Sequence, residues 1–196
     1  FIRQIQPGGL FLYRSGLETL IGEPVLNELK EKQVTVRSYG VEEGEYHTEE
    51  LRVEKGVWHW NLITPEGRID DLALLMPGRH NVQNATAACA IALQAGADGN
   101  RLQAALPGYK GVSRRFEIRY KDDERVMIDD YAHHPTEIRV TLRAARELYP
   151  EKNIWCVFQP HQYSRTRHLL KEFSRSFQNA NRVILADIYA TRDSDY

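Results

Sequence analysis

Arg125-Val126-Met127-Ile128-Asp129-Asp130-Tyr131-Ala132-His133-His134-Pro135-Thr136-Glu137 is the stretch whose reading decides the fold class. Its first four residues read as a short buried strand. Beyond it Ile138, Leu142, Ala145 and Leu148 recur at helical spacing, with Pro135 placed for the first helical position. Between strand and helix lies a run of carboxylates, a phenol and two imidazoles from which a packed core would gain nothing. Strand, polar turn and helix together announce an α/β layer. In open sheets of that kind ligands bind at the carboxyl ends of strands, where helix N-terminal amides and loop side chains converge.

Downstream the pattern repeats, with a strand over 154–158, a helix over 166–178 and a strand over 183–187. Upstream, strands over 116–120 and 126–128 flank Asp122-Asp123, a hairpin signal. The expectation is the first half of a doubly wound sheet, in which the strands ending at Ile128 and Phe158 lie side by side and bring His133 and His161 to one crevice. Such a sheet ordinarily continues. The exposed edge, the start at Phe1 rather than Met and the polar run Arg192-Asp193-Ser194-Asp195-Tyr196 lead us to expect a piece of something longer.

Pro107-Gly108-Tyr109-Lys110-Gly111 reads as a linker and hinge, dividing the chain into 1–111 and 112–196. Before it, Val82, Ala85, Cys89, Ala92 and Leu93 follow helical periodicity from Gly78 to Gly96, and a second helix covers about 100–106. Residues 1–76 read as short strands with turns, among them 10–13 and 34–36, plus one helix over 25–32. An antiparallel pair, 51–53 with 57–60, turns at Glu54-Lys55-Gly56.

Composition narrows the function classes. A chain of 196 residues, 42% hydrophobic and 27% charged, with net charge −1 and pI near 6.7, has no global field to draw it to nucleic acid or an acidic membrane surface. Any anion must be met locally. The apolar run 85–93 is too short for a bilayer, so a cytoplasmic protein is expected. Cys89 and Cys156 sit in apolar segments and read as small buried hydrophobes rather than a disulfide.

Three further clusters could carry chemistry. Asn81 and Asn84, with His80 beside them, share one face of a helix start; a carboxamide matches the donor and acceptor on adenine, although Asn81 or His80 could simply cap the helix. Arg114 and Arg115 enter a strand after the glycine linker. Alternation there puts Arg114 on the face of Phe116 and leaves Arg115 on the other, where its fork suits phosphate or carboxylate; a solvated surface pair is the bland alternative. Phe158-Gln159-Pro160-His161-Gln162-Tyr163-Ser164-Arg165-Thr166 is a second polar loop after a buried strand, with Arg165 available to an anion. Two alternatives use the same residues. One is a metal-dependent hydrolase on Asp129, Asp130, His133 and His134; the other is a non-catalytic nucleotide-binding module on Asn81, Asn84 and Arg115.

Taken together, Gly78-Arg79-His80-Asn81 with Asn84, Lys110-Gly111-Val112 with Arg114-Arg115-Phe116-Glu117, Asp129 through Glu137, and Phe158 through Thr166 resemble the Mur ligase family. The resemblance implies an α/β chain made of part of the central ATPase-domain lobe, strands plus helices, followed by the first half of a Rossmann-like C-terminal ligase domain. It implies that ATP phosphorylates a muramoyl carboxylate and that an amine attacks the acyl phosphate, with UDP-N-acetylmuramate and L-alanine as substrates in peptidoglycan precursor synthesis. By the same resemblance His80, Asn81 and Asn84 meet adenine, Arg115 the phosphates, and Asp130 the ribose or phosphates. Tyr131, His133, His161 and Arg165 then line the pocket for alanine and the muramoyl group, with Arg115, Asp130 and His133 as the catalytic set. Some members of the family carry Arg where Gln162 stands. The 196 residues contain no Gly-x-x-Gly-Lys-Thr phosphate loop, so the Mg²⁺ ligands are expected outside this sequence, and the chain alone is expected not to ligate. No metal site, nucleic acid or membrane partner is expected here, and a homodimer stays open.

Overall fold

A computed structural model describes residues 2–189, and the polar end 192–196 lies outside them. The chain divides into two compact units, Phe1–Tyr109 and Lys110–Tyr196. No helix among the described residues is long and apolar enough to cross a membrane.

In the first unit β1 (Leu10–Arg14) and β2 (Thr35–Tyr39) pair in parallel, Leu10 opposite Thr35 and Arg14 opposite Tyr39. Parallel neighbours need a crossover, and α1 (Glu18–Ile21) and α2 (Glu23–Glu31) supply it, turning one into the other at Gly22 with φ 84. Three antiparallel strands follow: β3 (His47–Glu54), β4 (Val57–Thr64) and β5 (Gly67–Leu74). The turn read from sequence is there, with Glu54 opposite Val57, and Lys55 and Gly56 both take positive φ, as a two-residue loop matching strand twist requires. Helices α3 (Arg79–Gln94) and α4 (Gly99–Ala105) complete the unit, α4 beginning where Asp98 accepts the Arg101 amide at 2.9 Å. Alternate residues of β4 and β5, chiefly Trp60, Leu62, Leu72 and Leu74, pack against Val82, Ala85, Cys89 and Ala90 of α3. Burial pushes the Cys89 thiol up to about 12, so it behaves as an inert apolar side chain.

Three polar residues of this sheet, Thr48, Asn61 and Thr64, are buried, and Asn61 is the most enclosed of them. Asn61 is only 4% exposed, and the strand registers shift on both sides of it, between Glu49 and Arg52 on β3 and opposite the Trp60-to-Leu62 step on β5. Its Nδ2 donates to Glu50 Oε2 at 2.8 Å, and its Oδ1 accepts the Asp71 amide at 2.9 Å. Glu50 and Asp71 both hold left-handed backbone, φ 53 and φ 47. A single amide therefore pins two bulges. Asn61→Leu, which keeps the branched shape and removes both bonds, is expected to destabilise the chain by about 2 kcal/mol, because the Asp71 amide loses its partner. Urea unfolding followed by circular dichroism would measure it.

In the second unit the hairpin β6 (Glu117–Lys121) and β7 (Val126–Asp129) pairs antiparallel and leads into α5 (Pro135–Leu148). Then come β8 (Trp155–Phe158), α6 (Tyr163–His168), α7 (Leu170–Phe173) and β9 (Arg182–Leu185), with β8 and β9 parallel. The single helix read over 166–178 is instead two short ones starting three residues earlier, broken at Leu169. A larger departure concerns the sheet. Among the described residues β7 pairs only with β6 and β8 only with β9, so the two strands expected side by side share no ladder. What joins them is packing on α5: Ile138 and Leu142 meet Phe158 and Phe173, while Ala144 and Ala145 meet Phe116 and Ile128. The helix has an apolar face wide enough for both, and its periodicity could not tell a shared sheet from two pairs beneath one helix. The face of β8 turned from α5 is open, with Trp155 58% and Val157 73% exposed.

Candidate functional site

The polar run of the opening stretch forms a tightly bonded loop between β7 and α5. Asp130 receives main-chain amides on both carboxylate oxygens, Phe116 on Oδ2 and Ala132 on Oδ1, each at 2.8 Å. The Tyr131 amide donates to the Arg114 carbonyl at 2.7 Å. These bonds fasten the loop to the segment before β6, where Arg114 and Phe116 hold left-handed backbone at φ 60 and φ 48. Residues with side chains keep that conformation only where their surroundings fix it. Here Asp130 and the buried Phe116 ring fix it.

That backbone overturns the alternation expected for the two arginines. The strand begins at Glu117, and the positive φ values ahead of it turn both guanidinium groups to the same place. Arg114 stands 4.8 Å and Arg115 5.5 Å from the centre of the Tyr131 ring. Their charges differ in company. Arg114 lies 4.0 Å from Asp129, whereas Arg115 has no ion-pair partner among the described residues.

Glu137 closes the other side. Its Oε2 accepts the His133 and His134 amides at 2.9 and 3.0 Å, and His134 Nδ1 accepts the Thr136 amide at 3.3 Å, a reciprocal cap on α5. Burial would raise the Glu137 carboxyl, but the two amides, with the His133 ring and the Arg115 guanidinium nearby, outweigh it and hold it below the ordinary glutamate value. His133 Nδ1 lies 2.9 Å from the Tyr131 carbonyl, and its ring stands edge-on to the Tyr131 ring, centroids 5.2 Å apart. Arg115, Asp130, Tyr131 and His133 are thus gathered at one strand end. Glu137 and Arg114 belong to the same cluster; neither stood among the candidate site residues read from the sequence, where alternation put Arg114 on the face opposite Arg115.

No hydrogen bond joins the second loop to this cluster among the described residues, although Ala132 packs in the apolar cluster that holds Phe158. His161 stacks on Tyr189 with centroids 4.9 Å apart, and no hydrogen bond or ring contact joins it to His133 among the described residues. Gln162 holds φ 70 and donates its amide to the Tyr189 carbonyl at 3.2 Å. Arg165, with Ser164, His168 and Leu169, lines an open hollow of about 340 Å³.

In the first unit His80, Asn81 and Asn84 fall on the first turns of α3, whose cap is Gly78 rather than Asn81 or His80. Asn81 Nδ2 donates to the Pro77 carbonyl at 2.7 Å, closing the turn that enters the helix and leaving its Oδ1 to accept. Asn84 is exposed and keeps a whole amide edge for a ligand. The hydrolase alternative finds no support. Among the described residues no three His, Cys, Asp or Glu side chains are placed to hold a metal ion, and Asp130, His133 and His134 are each bonded to the main chain instead.

Comparison with known proteins gives a consistent picture. Residues 5–92 match the Mur ligase middle domain, and residues 114–195 match the Mur ligase, glutamate ligase domain. A UDP-N-acetylmuramate–L-alanine ligase of Phocaeicola vulgatus is 37% identical over 96% of this chain and 40% of its own length. Another such ligase, of Alkaliphilus metalliredigens, is 50% identical over 68% of this chain and 29% of its own length. Among solved structures, the UDP-N-acetylmuramate-alanine ligase of Thermotoga maritima superposes with a TM-score of 0.69 at 28% identity, covering 92% of this chain and 46% of that one. The apo form of L. casei FPGS shares the fold at 16% identity, with a TM-score of 0.70 over 97% of this chain and 45% of that one. The chain therefore spans less than half the length of these relatives.

Proposed function

Because the chain belongs to the Mur ligase family, we propose that it is the middle-to-C-terminal part of an ATP-dependent ligase joining L-alanine to UDP-N-acetylmuramate in the cytoplasm. The observation that carries this reading is the cluster at the end of β7. There Arg115, a guanidinium with no ion-pair partner among the described residues, is held beside a phenol and an imidazole by a loop bonded through Asp130 and Glu137. Making an acyl phosphate and then breaking it with an amine spreads negative charge over phosphate oxygens, and stabilising that charge is most of the catalytic task. Arg115 is suited to the phosphates. Asp130, with lone pairs left on each oxygen, can also meet a ribose hydroxyl while it holds the Arg114–Phe116 segment in place.

For adenine the candidates are His80, Asn81 and Asn84, of which Asn84 has its full amide edge free to pair. Tyr131 and His133, and on the second loop His161 and Arg165, are the candidates for alanine and the muramoyl group. ATP brings Mg²⁺, which supplies further charge neutralisation; no ligand for it is assigned to these residues. As the 196 residues contain no phosphate loop, the chain by itself is expected to show no L-alanine-dependent phosphate release with ATP, Mg²⁺ and UDP-N-acetylmuramate. The complete gene product is expected to show it. A complete gene product that leaves L-alanine untouched while turning over another amine would sink the substrate assignment.

A further inference from the structure

The loop after β7 holds one imidazole by its Nδ1 nitrogen. A carbonyl oxygen can only accept, so the 2.9 Å contact between His133 Nδ1 and the Tyr131 carbonyl places a proton on Nδ1. Glu137 favours the same arrangement, with Oε2 3.7 Å from that nitrogen and itself anchored by the His133 and His134 amides. In water a neutral histidine prefers the opposite tautomer. In the neutral ring Nε2 then carries the lone pair, and no hydrogen bond reaches it among the described residues. The other charged groups around the ring are accounted for: Asp130 is bonded to two amides, and Arg114 and Arg115 lie over the Tyr131 ring.

We propose that His133 Nε2 is the proton acceptor of the amide-forming step and that Glu137 is its positioning residue; this rests on the ligase reading above. An amino acid arrives at neutral pH as an ammonium, whose nitrogen has no lone pair with which to attack. Nε2 takes one proton and frees that pair. The nitrogen then attacks the acyl-phosphate carbon; the C–N bond forms, and the C–O bond to phosphate breaks with its electron pair staying on the phosphate. The second proton passes from the new amide nitrogen to the departing phosphate, which leaves as hydrogen phosphate. His133 returns its own proton to solvent. Glu137 touches no reactant and acts by fixing the ring.

Two measurements test this. In the 196-residue chain with ¹⁵N-labelled histidine, two-bond ¹⁵N–¹H correlation spectra report which ring nitrogen carries the proton. His133 is expected as the Nδ1–H form, shifting toward Nε2–H in Glu137→Gln; a wild-type His133 found as Nε2–H overturns the proposal. In the complete gene product, His133→Asn is expected to lower amide formation with L-alanine by about 100-fold or more. Hydroxylamine, already neutral at working pH, needs no base, so hydroxamate formation is expected to fall by less than about 10-fold in the same variant. Equal losses with both nucleophiles overturn the proton-acceptor role. Absence of hydroxamate with the unaltered protein overturns the ligase reading and this step with it, whereas the tautomer result stands on its own.

Discussion

Trp60→Ala is expected to destabilise the first unit by about 3–5 kcal/mol, the range for emptying a buried aromatic site. That is a large share of the roughly 5–15 kcal/mol that a domain commands, so much of the variant should be unfolded near physiological temperature. Trp60 is fully buried at the centre of the β4–β5 face, between Leu62 and Leu72 of the sheet and Val82 of α3. A close-packed interior relaxes only partly around so large a void. The conservative change should behave differently. The indole Nε1 is buried without a hydrogen-bond partner among the described residues, and an unpaired buried donor costs about 1–3 kcal/mol. Trp60→Phe removes that donor while keeping most of the ring, so its net cost is expected to be at least about 2 kcal/mol smaller than that of Trp60→Ala. Urea unfolding followed by circular dichroism compares them. If the two variants prove equally unstable, the indole N–H is paired in solution and the volume account is wrong.

Trp60 also marks how far the sequence could be read. Alternation along 57–60, the helix that begins after Gly78 and the strand before Asp129 each follow from hydrophobic period and turn chemistry, which act locally, and each is found where that chemistry puts it. The bulges around Asn61 were not legible, because an amide in a strand reads as an ordinary solvent-facing residue until both neighbouring strands are in place. The same limit explains the sheet of the second unit. Period shows that β7 and β8 are strands but not which strand lies beside which, and α5 holds them by packing instead of backbone bonds. In the candidate site the residue types clustered in sequence were informative, since Asp130, Tyr131, His133 and Glu137 form one bonded loop. The arginines were misplaced for a specific reason. Extended alternation was assumed through residues whose backbone Asp130 bends into the left-handed region.

That bend gives the two arginines unequal consequences. Arg115→Ala is expected to lower L-alanine-dependent phosphate release by the complete gene product about 10²–10³-fold, the usual effect of removing one preorganised group facing developing charge. Arg114→Ala is expected to lower it by less than about 10-fold. Both guanidinium groups lie over Tyr131, so proximity to the loop does not separate them. Charge does. Arg114 shares its field with Asp129 at 4.0 Å on an exposed surface, where such a pair contributes about 0–1 kcal/mol and leaves little positive potential for a ligand. Arg115 has no such partner among the described residues, and its charge reaches as far as Glu137, whose carboxyl it helps to hold low. A phosphoryl group gathers charge on its oxygens as it transfers, so the loss should fall on kcat more than on KM for the amino acid. Arg115→Lys should recover little, because an ammonium on a flexible stem can neither lie flat over the Tyr131 ring nor offer a fork to two oxygens. A larger loss from Arg114→Ala than from Arg115→Ala would mean that the group paired with Asp129 is released in the working enzyme, and the assignment of Arg115 to the phosphates would fall.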